Sequence, residues 1–210
     1  MNDVVTFRSS RPHTAARWSR VALAAAAVGL IASVQAPAAF AQAVVPGASA
    51  SAASGKISHK DSAFMKQAAE NGHAEVENSK LALQKSGNAD VKAFAQKMVD
   101  EHTKASEELA ALAASKGVDL PKDPSVMQKG KMKVLSARDG ASFDRHYAET
   151  VGVEAHKDTV KLFEKAAKDS DDADVKAWAT KTLPTLQHHL QEAQALQTST
   201  RAADGKKAKK

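Results

Sequence analysis

The sequence predicts an all-α fold, a single four-helix bundle, on three observations. Aromatic residues make up only 4% of the chain, alanine is abundant, and runs of Val, Ile, Thr and Tyr are missing. A sheet builds its core from those residues, whereas helices pack closely on small ones. Apolar residues recur at alternating spacings of three and four, the mark of a buried seam between helices. The breaks between the periodic stretches are unequal: two are short and one is long.

The first helix is expected from about Asp61 to Lys85, with Asp61 or Ser62 able to cap its first amides, and it ends at Ser86-Gly87-Asn88. Its stripe is Met65, Ala69, Gly72, Val76, Ser79 and Leu83. The small Gly72 and Ser79 would let a neighbouring backbone come close. The second helix runs from about Ala89 to Lys116 and stops at Gly117, with Val91, Ala95, Met98, His102, Ala105, Leu109 and Leu112 on one face. The third is expected from Ala141 to Lys168, with Val153, His156, Val160, Phe163 and Ala167 facing inward. The fourth begins near Asp172, where acidic residues complement the helix dipole, and continues to about Gln197. Its stripe is Val175, Ala179, Thr182, Leu186, His189, Ala193 and Leu196, interrupted by Pro184, which removes one backbone hydrogen bond.

About three residues join the first helix to the second and the third to the fourth, so each pair reads as an antiparallel hairpin. Between them lie residues 117–140, with Pro121, Pro124 and a short helix expected near Ser125–Leu135. A connection of that length can travel the bundle, about 40 Å for a helix of this size. Two hairpins joined by one crossover is the ferritin-like arrangement.

The ends read differently from the middle. Arg8, Arg11, Arg17 and Arg20 precede an uncharged run from Val21 to Val34, and Ala39-Phe40-Ala41 offers a small-residue cleavage site. That is the pattern of a secretory signal peptide over 1–41. The run is shorter than a membrane span needs and is closed by Gln35 and Pro37, so a retained anchor fits less well. Residues 42–57 read as a flexible spacer and 58–198 as the folded domain. The expected location is the periplasm, reached by the general secretory route, with nothing spanning the membrane after cleavage. The net charge of +6 belongs to the ends: between Lys56 and Thr200 there are 21 basic and 22 acidic residues. A neutral body with few aromatics argues against nucleic acid as a partner. The tail, 199–210, reads as a basic disordered end, whose Arg201, Lys206, Lys207, Lys209 and Lys210 either solubilise the chain or hold it to an anionic envelope surface. There is no cysteine, hence no disulfide, thiolate site or thiol nucleophile.

The candidate site is a set of polar residues on core stripes: Glu75 on the first helix, His102 on the second, His156 on the third and His189 on the fourth. Each lies near the middle of its helix, so the four side chains are expected at similar height in the core. Asp100 and Glu154 should flank them, and His188 should point to solvent. Three readings stay open. The four residues satisfy one another as a buried hydrogen-bond network. Alternatively they form a mononuclear site for Zn, Cu, Ni or Fe, since imidazole suits all four. In the third reading, one or more of the histidines lies at the surface. No phosphate loop or nucleophile elbow is present, so an enzyme is not expected. The leading expectation is a non-enzymatic binding or stress-protective protein of the cell envelope without a cofactor; the alternative is a metal-binding protein.

The strings Phe64-Met-Lys-Gln-Ala-Ala-Glu-Asn-Gly-His-Ala-Glu-Val-Glu77, Val91-Lys-Ala-Phe-Ala-Gln-Lys-Met-Val-Asp-Glu-His-Thr-Lys104 and Thr182-Leu-Pro-Thr-Leu-Gln-His-His-Leu190 carry a resemblance. The chain resembles, over about 59–198, a widespread family of exported bacterial proteins whose domain has no assigned function. Members are usually placed with the ferritin-like folds and often labelled outer-membrane or membrane proteins. The resemblance implies the fold and no activity. A ferritin-type di-iron centre needs two glutamates and two Glu-x-x-His motifs. Only Glu70-Asn-Gly-His73 has that spacing, and it lies off the Glu75 stripe.

Overall fold

The structure, a computed structural model, describes residues 56–207, with side chains described through 202. The signal peptide read over 1–41, nearly all of the spacer and the last three tail residues lie outside the described residues. Six α-helices and one π-helical segment make up the fold: α1 His59–Lys85, α2 Ala89–Ser115, α3 Val126–Ser136, α4 Gly140–His146, the π-helical Tyr147–Ala155, α5 His156–Asp169 and α6 Ala173–Lys207. No strand occurs among the described residues, so the all-α expectation holds.

α1 and α2 form one antiparallel hairpin around Ser86–Asn88, where the Asn88 side chain accepts from the Asp90 and Val91 amides. The second hairpin sets α6 against the continuous rod of α4, the π-helical segment and α5. The long connection begins at Gly117, whose φ of 66° is the left-handed conformation that glycine adopts without strain. It carries α3, which starts with a capping box between Ser125 and Gln128 and rests on the body through Leu135, 1% exposed.

Three local expectations need correction. The third long helix is not uniform. Nine of its residues, Tyr147–Ala155, take the wider π-helical form, which brings Val151, Gly152 and Val153 all into the core. Gly152 permits this, because a Cβ there would stand 3.0 Å from the Cβ of Ala193 on α6. The cap of α1 is Ser58, not Asp61 or Ser62. Asp61 is buried and reaches across to the other hairpin, where its carboxylate accepts from the Asp171 and Asp172 amides at 3.1 and 2.9 Å. Finally, α6 runs on to Lys207, so the first nine residues read as a disordered tail are helical. Arg201 on that extension pairs with Glu149 at 3.0 Å, and Thr200 is buried.

Two apolar clusters fill the core. One contains Phe64, Met65, Leu109, Phe163, Trp178 and Leu186, with Phe64, Phe163 and Trp178 in mutual ring contact at 5.1–5.9 Å. The other contains Val91, Phe94, Met98, Phe143, Tyr147 and Leu196. Along every long helix a polar residue separates the two: Glu75, His102, His156 and His189. Among the described residues no helix is long and apolar enough to cross a membrane.

Candidate metal centre

All three expected histidines are in the interior. His102 is 7% exposed, His156 1% and His189 1%. Their ring centroids form a nearly equilateral triangle, 5.5 Å from His102 to His156, 5.3 Å from His102 to His189 and 5.5 Å from His156 to His189. Each ring offers one nitrogen to a common point, and these three atoms lie within 4.8 Å of one another. The surface-histidine reading is excluded by this placement.

Hydrogen bonds fix which nitrogen faces inward. The Nδ1–H of His156 donates to the Val151 carbonyl at 3.1 Å, leaving Nε2 without a partner. This bond comes from the π-helical exit: the His156 amide turns back to the Val153 carbonyl, and the Val151 oxygen takes the ring. The Nε2–H of His189 donates to the Glu101 carboxylate at 2.7 Å, leaving Nδ1 without a partner. His102 Nε2 is also buried and unpartnered. A histidine that donates one ring N–H to a carboxylate or a backbone carbonyl presents a lone pair on the other nitrogen, the usual outer support of a metal ligand.

The electrostatics agree with neutral rings. Burial pushes His156 down to about 4, and the neighbouring His189 adds to the shift. Burial holds His102 well below the usual histidine range, with His156 and His189 contributing. His189 is lowered too, again by burial, although Glu101 opposes the shift. Neutral imidazole is the ligating form.

Glu75 is buried in the same layer but does not join the group of converging atoms. Its Oε1 stands 3.8 Å from His156 Nδ1, too far for a hydrogen bond, and its Oε2 has no partner. Burial pushes its carboxyl up to about 8, so at neutral pH it is an uncharged acid beside an uncharged ring, not half of an ion pair. Two spaces meet at Glu75. A groove of 540 Å³ opens to solvent between α1, α3 and the π-helical segment, and a void of 30 Å³ lies between Gly72, Glu75, His102 and Ser106.

The flanking residues are peripheral. Asp100 is exposed and accepts from Gln96, and Glu154 is exposed on the groove wall. His188 is at the surface, 3.2 Å from Glu192. His73 meets the Pro121 carbonyl at 3.1 Å, so the lone Glu-x-x-His string plays no part in the centre. Glu101 was not expected from sequence. It neighbours His102, but 100° further round the helix, and only the packing of α2 on α6 brings it to His189.

The chain matches the model of a domain of unknown function, DUF4142, over residues 46–196. No curated protein matches it. Among solved structures, a conserved hypothetical protein from Mycobacterium tuberculosis, rv2844, is similar with a TM-score of 0.52 at 14% sequence identity, covering 66% of this chain and 91% of that one. At that identity the likeness concerns the fold alone. The family match spans well over half of the sequence and includes Glu75, Glu101, His102, His156 and His189: the chain belongs to the DUF4142 family.

Proposed function

We propose that this protein binds one first-row transition-metal ion through His102 Nε2, His156 Nε2 and His189 Nδ1, with Zn and Cu ahead of Ni and Fe. The observation that carries the reading is the convergence of three buried imidazole nitrogens that have no hydrogen-bond donor. Leaving a buried polar atom unsatisfied costs about 1–3 kcal/mol, and one cation would satisfy all three. Ligand atoms about 2.0–2.1 Å from a tetrahedral ion lie about 3.4 Å apart. The three nitrogens, within 4.8 Å of one another, would have to approach by about 1 Å to reach that spacing. A self-satisfied hydrogen-bond network explains the set less well, because Glu75 and His156 do not bond and each keeps an orphan atom.

The ferritin-type alternative lacks its carboxylates, so the reading is a mononuclear site and a non-enzymatic role. The N-terminal segment favours the periplasm as the working compartment, where the protein would bind or buffer the ion within the cell envelope. The experiment uses protein purified from an exporting host. Cleavage would leave Trp178, near His102 across the small void, as the single tryptophan. Titration with Zn and Cu should change its fluorescence with one equivalent, and elemental analysis should find the metal. A His156→Asn variant that keeps its helical circular dichroism should lose both. No response from the parent protein, with metal-free elemental analysis, retires the proposal.

A further inference from the structure

Among the described residues three large hydrophobic side chains are prominently exposed, and all three are on α3: Val126 at 89%, Met127 at 73% and Val134 at 54%. At 100° per residue, Val126, Gly130, Val134 and Met127 fall within one sector about 100° wide. Lys129 and Lys133 border that sector on one side and Lys131 on the other, all exposed. From Pro124 to Arg138 there is no acidic residue, and the nearest before it, Asp123, makes an exposed pair with Lys129 at 3.4 Å.

The orientation is fixed from below. Leu135 is buried against the body, Gln128 donates to Asn71 of α1 at 2.8 Å, and Lys85 donates to the Ser136 carbonyl at 2.7 Å. The helix is therefore held with Val126 and Met127 turned away from its own core, while Val134 and Lys131 stand at the rim of the groove that α3 forms with α1, still exposed. Ordinary loop helices turn such residues inward. This one buries Leu135 and leaves Val126 and Met127 facing solvent, with Val134 beside them at the groove rim.

We propose that α3 is a docking face for an anionic lipid surface, with Val126, Met127 and Val134 entering the acyl boundary and Lys129, Lys131 and Lys133 reaching the headgroups. An apolar strip bordered by lysines whose stems can extend to either side is the form of a helix that lies in a membrane interface. Charge selects the occupant. A second copy would set lysines against lysines, and lysine is depleted from protein–protein interfaces. Anionic headgroups complement Lys131 and Lys133 directly, and Lys129 in exchange for its exposed pair with Asp123, each contributing at most about a fivefold gain in binding. This proposal is independent of the metal reading and uses none of its residues.

The test is co-sedimentation of protein purified from an exporting host with vesicles of phosphatidylcholine alone or with 30% phosphatidylglycerol, at about 0.1 M salt. Binding is expected to the anionic vesicles and not to the neutral ones. The K129E/K131E/K133E variant should bind roughly 100-fold more weakly, and V126N/M127N/V134N at least 10-fold more weakly. A Met127→Trp variant should shift its emission to the blue on binding. All these positions are exposed, and unchanged circular dichroism will show that the fold survives. Equal binding to neutral vesicles overturns the proposal. So does anionic binding that both triple variants keep and a variant truncated after Thr200 loses, which assigns it to the tail. A parent that ignores vesicles but self-associates through Met127 would assign the face to a second copy.

Discussion

The two hairpins solve the same packing problem in different ways. In α1 and α2 the backbone is regular throughout, and two of the polar residues it brings to the core, Glu75 and His102, sit on ordinary helical stripes. In the second hairpin the rod opposite α6 changes to the π-helical form for nine residues, and α6 carries Pro184. Both outer supports of the histidine triangle serve rings from this hairpin: the Val151 carbonyl holds His156, and Glu101 holds His189. The irregular hairpin supplies two of the three converging nitrogens, each on a ring whose other nitrogen is hydrogen-bonded. The regular one supplies a third nitrogen and the supporting carboxylate of Glu101. Backbone irregularity is concentrated where ring orientation has to be set, which is where π-helical turns commonly occur.

If one ion joins the hairpins, the largest effect should be on stability. At about a thousandfold excess over Kd, binding to the folded state alone adds about 4 kcal/mol. Thermal melting in Zn should therefore rise by many degrees over chelator-treated protein, and the rise should vanish equally in His102→Ala and His156→Ala. A rise that survives loss of His102 would confine the site to the second hairpin.

Glu75 gives the next effect, in the metal-free protein. In the unfolded chain its carboxyl ionises near 4.5; folded, burial holds the proton to about 8. Between those values the unfolded state releases a proton that the folded state keeps, so stability falls as pH rises, by several kcal/mol in all. Below 4.5 the contribution is intact. The histidines act oppositely: their lowered values cost stability as pH falls below 6.5, His156 down to about 4. Denaturant midpoints for parent and Glu75→Gln protein, subtracted at each pH, cancel the histidine part. The difference should grow in favour of Gln from pH 5 to 8, and a flat difference would mean that Glu75 is not held neutral.

Smaller still is the support of His189. Glu101→Gln removes the carboxylate charge while its side-chain oxygen can still accept, so affinity for Zn should fall 10–100-fold with the metal-free melting temperature nearly unchanged. Its side chain is 43% exposed, which is why stability should not follow affinity. An unchanged affinity would make the Glu101–His189 contact an incidental surface bond.

The regular hairpin was the more legible in sequence. Its stripe through Val91, Met98, His102 and Leu109 is the one observed, because spacing of three and four is a direct image of an α-helix facing a core. The apolar stripe expected on α1 is slightly rotated from the observed one: Val76 and Leu83 are only half-buried, while Asn78 faces inward, and Glu75 is buried as expected. Asn78 folds back onto the Ala74 carbonyl, a local satisfaction that hydropathy does not register. The π-helical segment left no signal, since Tyr147–Ala155 has the composition of any buried helix and a one-residue widening does not disturb a short stripe. The end of α6 reads as tail from its polarity, yet the helix continues there, with Thr200 buried and Arg201 paired with Glu149. Helix stripes and midpoints together put the three histidines at one height in the core, and Glu75 with them, though Glu75 shares the layer without joining the converging atoms. Glu101 and the Val151 carbonyl needed knowledge of which helices are neighbours and how the backbone turns.

Two glycines bring the contrast down to single methyl groups. In the second hairpin, a Cβ on Gly152 would meet the Ala193 Cβ at 3.0 Å and the Ala193 Cα at 3.8 Å, on the facing helix. Neither atom can turn aside, so Gly152→Ala must push α6 away from the π-helical segment. The cost should be about 1–3 kcal/mol, the range of overpacked cores, and the displaced His189 should weaken metal binding as well. In the first hairpin, a Cβ on Gly72 would meet only the Ser106 Oγ, at 2.9 Å. That hydroxyl donates to the His102 carbonyl at 2.7 Å. It can rotate away with loss of one modest hydrogen bond, about 1 kcal/mol. Alanine in a helix interior returns about the same amount relative to glycine. Gly72→Ala should therefore leave the denaturation midpoint within about 0.5 kcal/mol of the parent. If Gly72→Ala proves as damaging as Gly152→Ala, the first hairpin is packed as tightly as the second, and the asymmetry between them is one of backbone form only.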